Sequence, residues 1–164
     1  MTNLKAFTLY NNLKTLLYKY RYKEKVFLCV GNYKIWYDCF ACKLGQAIKN
    51  LGVNAYVYGG TEFPILKHNI DQFTKFIKSK HPNACVIVVD NILTNNTQYC
   101  GKLAIKEEST NIAALTSGYR VGDISVLLYT NTSVDGYVFL DYQRKIVYLL
   151  ANIFNSIINN NKNE

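Results

Sequence analysis

The chain has 164 residues, and its 19 Lys and Arg against 11 Asp and Glu give a net charge of +8. This length suits one domain with a core of ordinary size, so we expect a single α/β domain over residues 1–164. The sequence holds no run of about 18 uncharged apolar residues, and its start lacks a secretory signal pattern. We therefore expect a cytoplasmic protein that is not associated with a membrane.

The five cysteines are an odd number, and Cys29 and Cys85 lie inside apolar strand patterns where a thiol packs as a small hydrophobe. A disulfide framework is therefore not expected. The positive charge is compatible with an anionic partner. Because Lys, Asn, Ile and Tyr are abundant along the whole chain, we interpret most of this charge as general composition.

The spacing of apolar residues predicts the elements in chain order. A leading helical segment covers residues 1–22, with one apolar face formed by Leu9, Leu13, Leu16, Leu17 and Tyr20. A strand over 25–31, a helix over 40–51, a strand over 54–58, a helix over 71–79 and a strand over 85–90 follow. Shorter strand candidates lie at 101–106 and 123–129, a closing helix covers 136–155, and residues 159–164 are expected to fray.

Strands that alternate with helices indicate a parallel sheet with right-handed crossovers. We expect residues 26–30, 55–58, 85–89 and 124–129 to be parallel neighbours. The strand at 85–90 is apolar throughout, as in a strand that is covered on both faces. The predicted fold class is a three-layer α/β sandwich with a mainly parallel sheet.

Acidic residues follow three of these strands: Asp38, Glu62 and Asp90. The carboxyl ends of parallel strands share one edge, where ligands bind, so the sequence predicts a carboxylate cluster there. His68 follows Glu62 closely enough to reach the same edge. Each residue also has a structural interpretation: Asp38 as a helix N-cap, Glu62 and His68 as surface residues, and Asp90 as a buried acid that needs a partner.

Four segments together resemble a known family. They are Cys29-Val30-Gly31 leading to Asp38, then residues 57–64 with the sequence VYGGTEFP, then residues 86–90 with VIVVD, and finally residues 121–124 with VGDI. Their order and spacing are similar to those of the YyaC-type sporulation proteins. That family is similar in turn to the spore germination protease and to the hydrogenase-maturation endopeptidases.

The resemblance implies a phosphorylase/hydrolase-like fold, a peptide or protein substrate, and Asp38 and Asp90 as the catalytic pair. In the related endopeptidases the matching positions help to hold a metal of the partner protein, so a divalent metal at Asp38 and Asp90 stays open; no other cofactor is expected. Two carboxylates that share a site do not both ionise easily, so one can act as acid and the other as base.

This chain departs from the family pattern around the first aspartate. Tyr37 precedes Asp38 where the family has glycine, and Ala41-Cys42 stands at a Gly-Pro pair. A second glycine-rich loop of the family falls at residues 110–113, which contain no glycine. Two outcomes are therefore open: a sporulation-related peptidase of weak or lost activity, or a non-catalytic relative that binds a peptide or protein.

Two other functions compete for the same residues. Cys39 and Cys42 form a Cys-x-x-Cys at a predicted helix start, where the helix dipole would lower a thiol pKa as in thioredoxin-like redox proteins. One such pair, with His68 and His81 the only histidines, is too few ligands for zinc. A basic and aromatic run could bind nucleic acid, but a solvated helix end explains it more simply, so no nucleic acid partner is expected. Its members are Tyr18, Lys19, Tyr20, Arg21, Tyr22, Lys23 and Lys25.

Overall fold

The structure is a computed structural model that describes residues 3–112 and 120–160. It contains four helices: α1 (Asn3–Lys19), α2 (Phe40–Asn50), α3 (Ile70–Lys80) and α4 (Gly136–Asn160). Its strands are β1 (Lys25–Cys29), β2 (Tyr56–Tyr58), β3 (Cys85–Leu93), β4 (Leu103–Lys106), β5 (Thr110–Asn111), β6 (Arg120–Val121) and β7 (Ile124–Thr130). A 3₁₀ turn covers Thr97–Tyr99. Within the described ranges, no helix combines the length and apolar character that a membrane crossing requires.

Five strands form one sheet in the order β2-β1-β3-β7-β4. β2, β1, β3 and β7 are parallel, which confirms the predicted set of neighbours, and β4 joins the edge antiparallel to β7. β5 and β6 pair separately as a short antiparallel ladder, which the sequence did not predict.

Helices cover both faces of the sheet, as expected for a three-layer α/β fold. Alternate strand residues such as Phe27 and Val89 pack with α1, α2 and α4 in one core cluster. Their neighbours Leu28 and Val88 pack with Ile70 and Ile77 of α3 in a second cluster. The alternation follows from the two-residue period of a strand.

Most predicted boundaries differ by one to three residues, and β3 and α4 extend three or more residues beyond their predicted ends for tertiary reasons. β3 continues past Asp90 to Leu93, because β7 pairs with it as far as Leu93 and Thr130. α4 continues to Asn160, and the side chain of Asn159 accepts a hydrogen bond from Asn54 N at 2.8 Å. Asn159 is therefore anchored and not frayed; residues 161–164 lie outside the described part of the chain.

Gly59 leaves β2 at a φ of +93°, and a Cβ there would lie 2.1 Å from the carbonyl oxygen of Cys29. We expect Gly59→Ala to lower the free energy of unfolding by about 3 kcal/mol, because both the left-handed backbone and this collision with main chain are costly. Gly52→Ala is the matched control: its φ is +63° but its surroundings are open. It should cost only about 1 kcal/mol in urea titrations. Equal losses in the free energy of unfolding for the two variants would contradict a costly collision with the Cys29 carbonyl oxygen.

Candidate functional site

The loop between β1 and α2 carries Asp38 at the carboxyl edge of the sheet. Asn32 N donates to Asp38 Oδ2 at 2.9 Å, and Asp38 N donates to Ile35 O at 2.9 Å. This loop conformation requires glycine at position 31, because a Cβ there would lie 2.4 Å from the carbonyl oxygen of Asp38. The N-cap of α2 is Cys39, so the interpretation of Asp38 as a helix cap is wrong. The Asp38 carboxylate is instead held beside the end of β1.

Asp90 lies within β3 on the α3 face of the sheet and is only 9% exposed. Asn91 N donates to its Oδ1 at 2.8 Å. Burial raises the pKa of Asp90 to about 7; the backbone hydrogen bond from Asn91 opposes this, and the negative charge of Asp38 adds to it. Burial also raises the pKa of Asp38, against the lowering effect of the Asn32 hydrogen bond.

Asp38 and Asp90 are thus brought to the same edge, near enough for one charge to affect the other. The more buried Asp90 has the pKa of about 7 and is the group that keeps its proton more readily. Two carboxylates in such unequal surroundings can serve as an acid and a base at the same pH.

Asn91 is a site residue that the sequence analysis missed. Its Oδ1 accepts a hydrogen bond from Phe40 N at 3.2 Å, which ties β3 to the start of α2. Its Nδ2 is buried and has no partner among the described residues. The available signal was a second polar residue directly after Asp90 in an otherwise apolar run.

Glu62 and His68 lie on the loop from β2 to α3, and both are exposed. The loop returns to the site at Ile65, whose carbonyl accepts from Gly31 N at 3.0 Å. Among the described residues, no hydrogen bond or ion pair joins Glu62 or His68 to Asp38 or Asp90. Their participation remains a prediction.

Comparisons with known proteins agree with this architecture. The family described as "Protein of unknown function (DUF1256)" matches residues 2–157. The chain belongs to this family. It is the family of the YyaC-type proteins, so that part of the resemblance is confirmed. None of the curated proteins matches the chain.

Among solved structures, this DUF1256 chain is similar to a NiFe hydrogenase maturation protease, HycI, from Thermococcus kodakarensis KOD1. The TM-score is 0.52 at 14% sequence identity, over 87% of this chain and 97% of HycI. At that identity the similarity establishes the fold alone, and it confirms the predicted α/β class.

The cysteine pair of this DUF1256 protein does not have the properties that the redox hypothesis requires. Cys39 is 1% exposed and donates to Gln143 Oε1 at 3.1 Å, and Cys42 is fully buried and donates to Gly31 O at 3.0 Å. Burial raises the pKa of Cys39, and it raises the pKa of Cys42 to about 12. The expected lowering at the helix start is therefore wrong, because desolvation outweighs the dipole.

We expect Cys100 to react first with a thiol reagent in the native protein. It is the one cysteine that is partly exposed; the other four are buried. Limited labelling with N-ethylmaleimide followed by peptide mass spectrometry should find Cys100 modified well before Cys39. Cys39 should react slowly because it is buried. Labelling of Cys39 at the rate of Cys100 would contradict the packing of α4 over the α2 start.

The basic and aromatic run lies at the opposite edge of the sheet, before β1. Lys25 is buried, and its Nζ donates to the carbonyl oxygen of Tyr20 at 2.7 Å. The Arg21 guanidinium lies over the rings of Tyr18 and Tyr22, at 4.3 and 4.4 Å from their centroids. Much of this run is thus used in internal contacts.

A polar network that sequence analysis did not anticipate links α3 to the sheet. Tyr58 Oη and His81 Nε2 are 2.8 Å apart, and His81 Nδ1 and Glu24 Oε2 are 3.2 Å apart. The His81 side chain is buried while Glu24 is exposed. The network satisfies both ring nitrogens of a buried histidine.

Proposed function

We propose that this protein is a peptidase-like hydrolase in which Asp90 is the general acid and Asp38 is the general base. The observation that carries the proposal is a buried carboxyl group with a pKa of about 7 beside a second carboxylate, at the carboxyl edge of a parallel sheet. The fold shared with a hydrogenase maturation protease supports a peptidase over other hydrolases.

In the proposed reaction, ionised Asp38 accepts a proton from water as the water oxygen bonds to the peptide carbonyl carbon. Protonated Asp90 donates its proton to the amide nitrogen as the C–N bond breaks. Transfer of the proton from Asp38 back to Asp90 through solvent restores the starting state. Each role matches the burial of the group that performs it.

A resident metal is not used in this mechanism. Within the described residues, no group of three or more His, Cys, Asp or Glu side chains is arranged to hold a metal ion. The two aspartates fall short of the ligand set of a zinc site. A metal carried by the substrate could still be bound by these carboxylates, so assays should be run with and without added divalent cations.

The proposed substrate is a peptide or protein in the cytoplasm of a sporulating cell, and small acid-soluble spore proteins are the first to test. Support for this assignment comes from the YyaC-type resemblance of the four segments around Asp38 and Asp90.

The pH dependence of cleavage tests the proposal. Between pH 5 and 9, we expect the rate to fall as pH rises through about 7, because Asp90 loses the proton that it must donate. At low pH the rate should fall as Asp38 becomes protonated. Asp141→Asn, at an exposed acid of α4, is the control and should leave the profile unchanged. A rate that is constant across this range would contradict the assignment.

Non-catalytic binding is the second candidate function. The low exposure of Asp90 favours it, because a peptide bond must reach the acid directly for cleavage. A wild-type protein that binds such substrates without cleaving them, at any pH tested, would identify the site as a binding site.

A further inference from the structure

A cleft opens near the carboxyl end of β7, between the segment that precedes β4 and the first turns of α4. Its volume is about 530 Å³, within the range of sites that bind small molecules or side chains. The walls are mainly apolar and include Cys100, Gly101, Val134, Val138, Phe139 and Tyr142. The charged group in the lining is Asp135, whose Oδ1 already accepts from Tyr137 N at 2.8 Å as the cap of α4.

Residues of α4 and β7 contact the loop that carries Asp38. The Trp36 and Phe139 rings are 5.9 Å apart, and Gln143 Nε2 donates to Trp36 O at 2.9 Å. Thr130 Oγ1 donates to Tyr37 O at 3.1 Å. Residues 36 and 37 are therefore held by β7 and by α4, and α4 forms one side of the cleft. Asp38 is the next residue in the chain.

The two walls are also tied to each other. Tyr142 Oη donates to the carbonyl oxygen of Gly101 at 2.6 Å, which joins α4 to the segment before β4. A cleft with connected walls loses little conformational freedom when a ligand enters it, so more of the contact energy remains as affinity.

The geometry points to this cleft as the pocket that receives an apolar side chain, such as Leu or Phe, of a peptide bound across the carboxyl edge. The inference rests on the proposed function, because it specifies the substrate of that site. We expect the occupant to be uncharged because the walls are apolar. The carboxylate of Asp135 already accepts hydrogen bonds from the backbone of α4. The connection through residues 36 and 37 would place the rest of the peptide beside Asp38.

The test uses two capped, uncharged, fluorescent hexapeptides of Gly and Ser, one with a central Leu and one with a central Ser. Fluorescence polarisation should show that wild-type protein binds the Leu peptide at least about tenfold more tightly, which is about 1.4 kcal/mol. Val138→Arg should remove that preference by placing a charge at the mouth. Val138 is 70% exposed, so the fold tolerates the change. Tyr148→Arg, at a 73% exposed position of the same helix, should bind as wild type does.

Cys100 provides a second, independent measurement. Wild type treated briefly with N-ethylmaleimide should lose its preference for the Leu peptide, because the adduct occupies the cleft. Cys100→Ala should keep the preference and be insensitive to the reagent. Equal affinities for both peptides in wild type, or a preference that survives both Val138→Arg and the adduct, would overturn the inference.

Asp90→Asn separates this inference from the proposed function. The variant should bind the Leu peptide as wild type does while cleavage is lost. Selective binding by a wild type that cleaves nothing would sustain the pocket and refute the hydrolase. Cleavage that depends on Asp90 but is indifferent to Val138→Arg and to the Cys100 adduct would sustain the hydrolase and refute the pocket.

Discussion

Replacing Asp90 with Asn is expected to raise the free energy of unfolding at pH 8 by roughly 2–4 kcal/mol. Burial raises the pKa of Asp90 from 3.8 to about 7, and each pKa unit corresponds to about 1.4 kcal/mol. At pH 8 the wild type must fold with a buried charge that the unfolded chain exposes to water. The amide oxygen of Asn can still accept the hydrogen bond from Asn91 N.

The direction of the pH dependence follows from the same values. The folded-state pKa of Asp90 is above its unfolded value, so its contribution to stability is fully present below about pH 4. It is lost as pH rises to about 7 and changes no further above that. Urea titrations at pH 5, 6, 7 and 8 should therefore show the gain from Asp90→Asn growing with pH. Asp141→Asn should show no gain, and an Asp90→Asn effect that is independent of pH would refute the raised pKa.

Asp38→Asn and Asp90→Asn are each expected to lower the rate of peptide cleavage by about a hundredfold or more, the usual contribution of a general acid or base. In the proposed mechanism, Asp38→Asn removes the group that accepts a proton from water, and Asp90→Asn removes the group that protonates the leaving nitrogen. The double variant should be little slower than either single one, because groups that act as a unit are not additive.

Kinetics of purified wild type, both single variants, the double variant and Asp141→Asn would measure these effects. Thermal melts of the same samples should show all of them folded, so that lost cleavage reports lost chemistry. Cleavage that persists in both single variants would remove the two aspartates from the mechanism.

The sheet could be predicted because its strands are short apolar runs separated by helical patterns, which is a local property. The end of β3 could not, since residues 91–93 join the strand only through pairing with β7. The anchoring of Asn159 could not be predicted either, because its partners outside the helix, Gly52 and Asn54, are 105 or more residues away in sequence.

The candidate site was predictable to the extent that it depends on topology. Asp38 and Asp90 come together because parallel strands end at one edge. Their hydrogen bonds, and the role of Asn91 at the start of α2, depend on loop conformation that the residue pattern does not specify. The spacing of the Cys-x-x-Cys left the redox alternative open for a related reason: the motif does not reveal that Gln143 of α4 covers Cys39.

The position of α4 has a consequence for synthesis of the protein on the ribosome. Phe27 packs edge-on against Phe154, with ring centroids 4.9 Å apart, and both are fully buried. Until α4 has emerged, α1 and α2 cover only part of this face of the sheet, and the apolar side chains that α4 buries are available to chaperones or to other nascent chains. The sheet can pair early, but its largest core cluster closes only after α4 has been made.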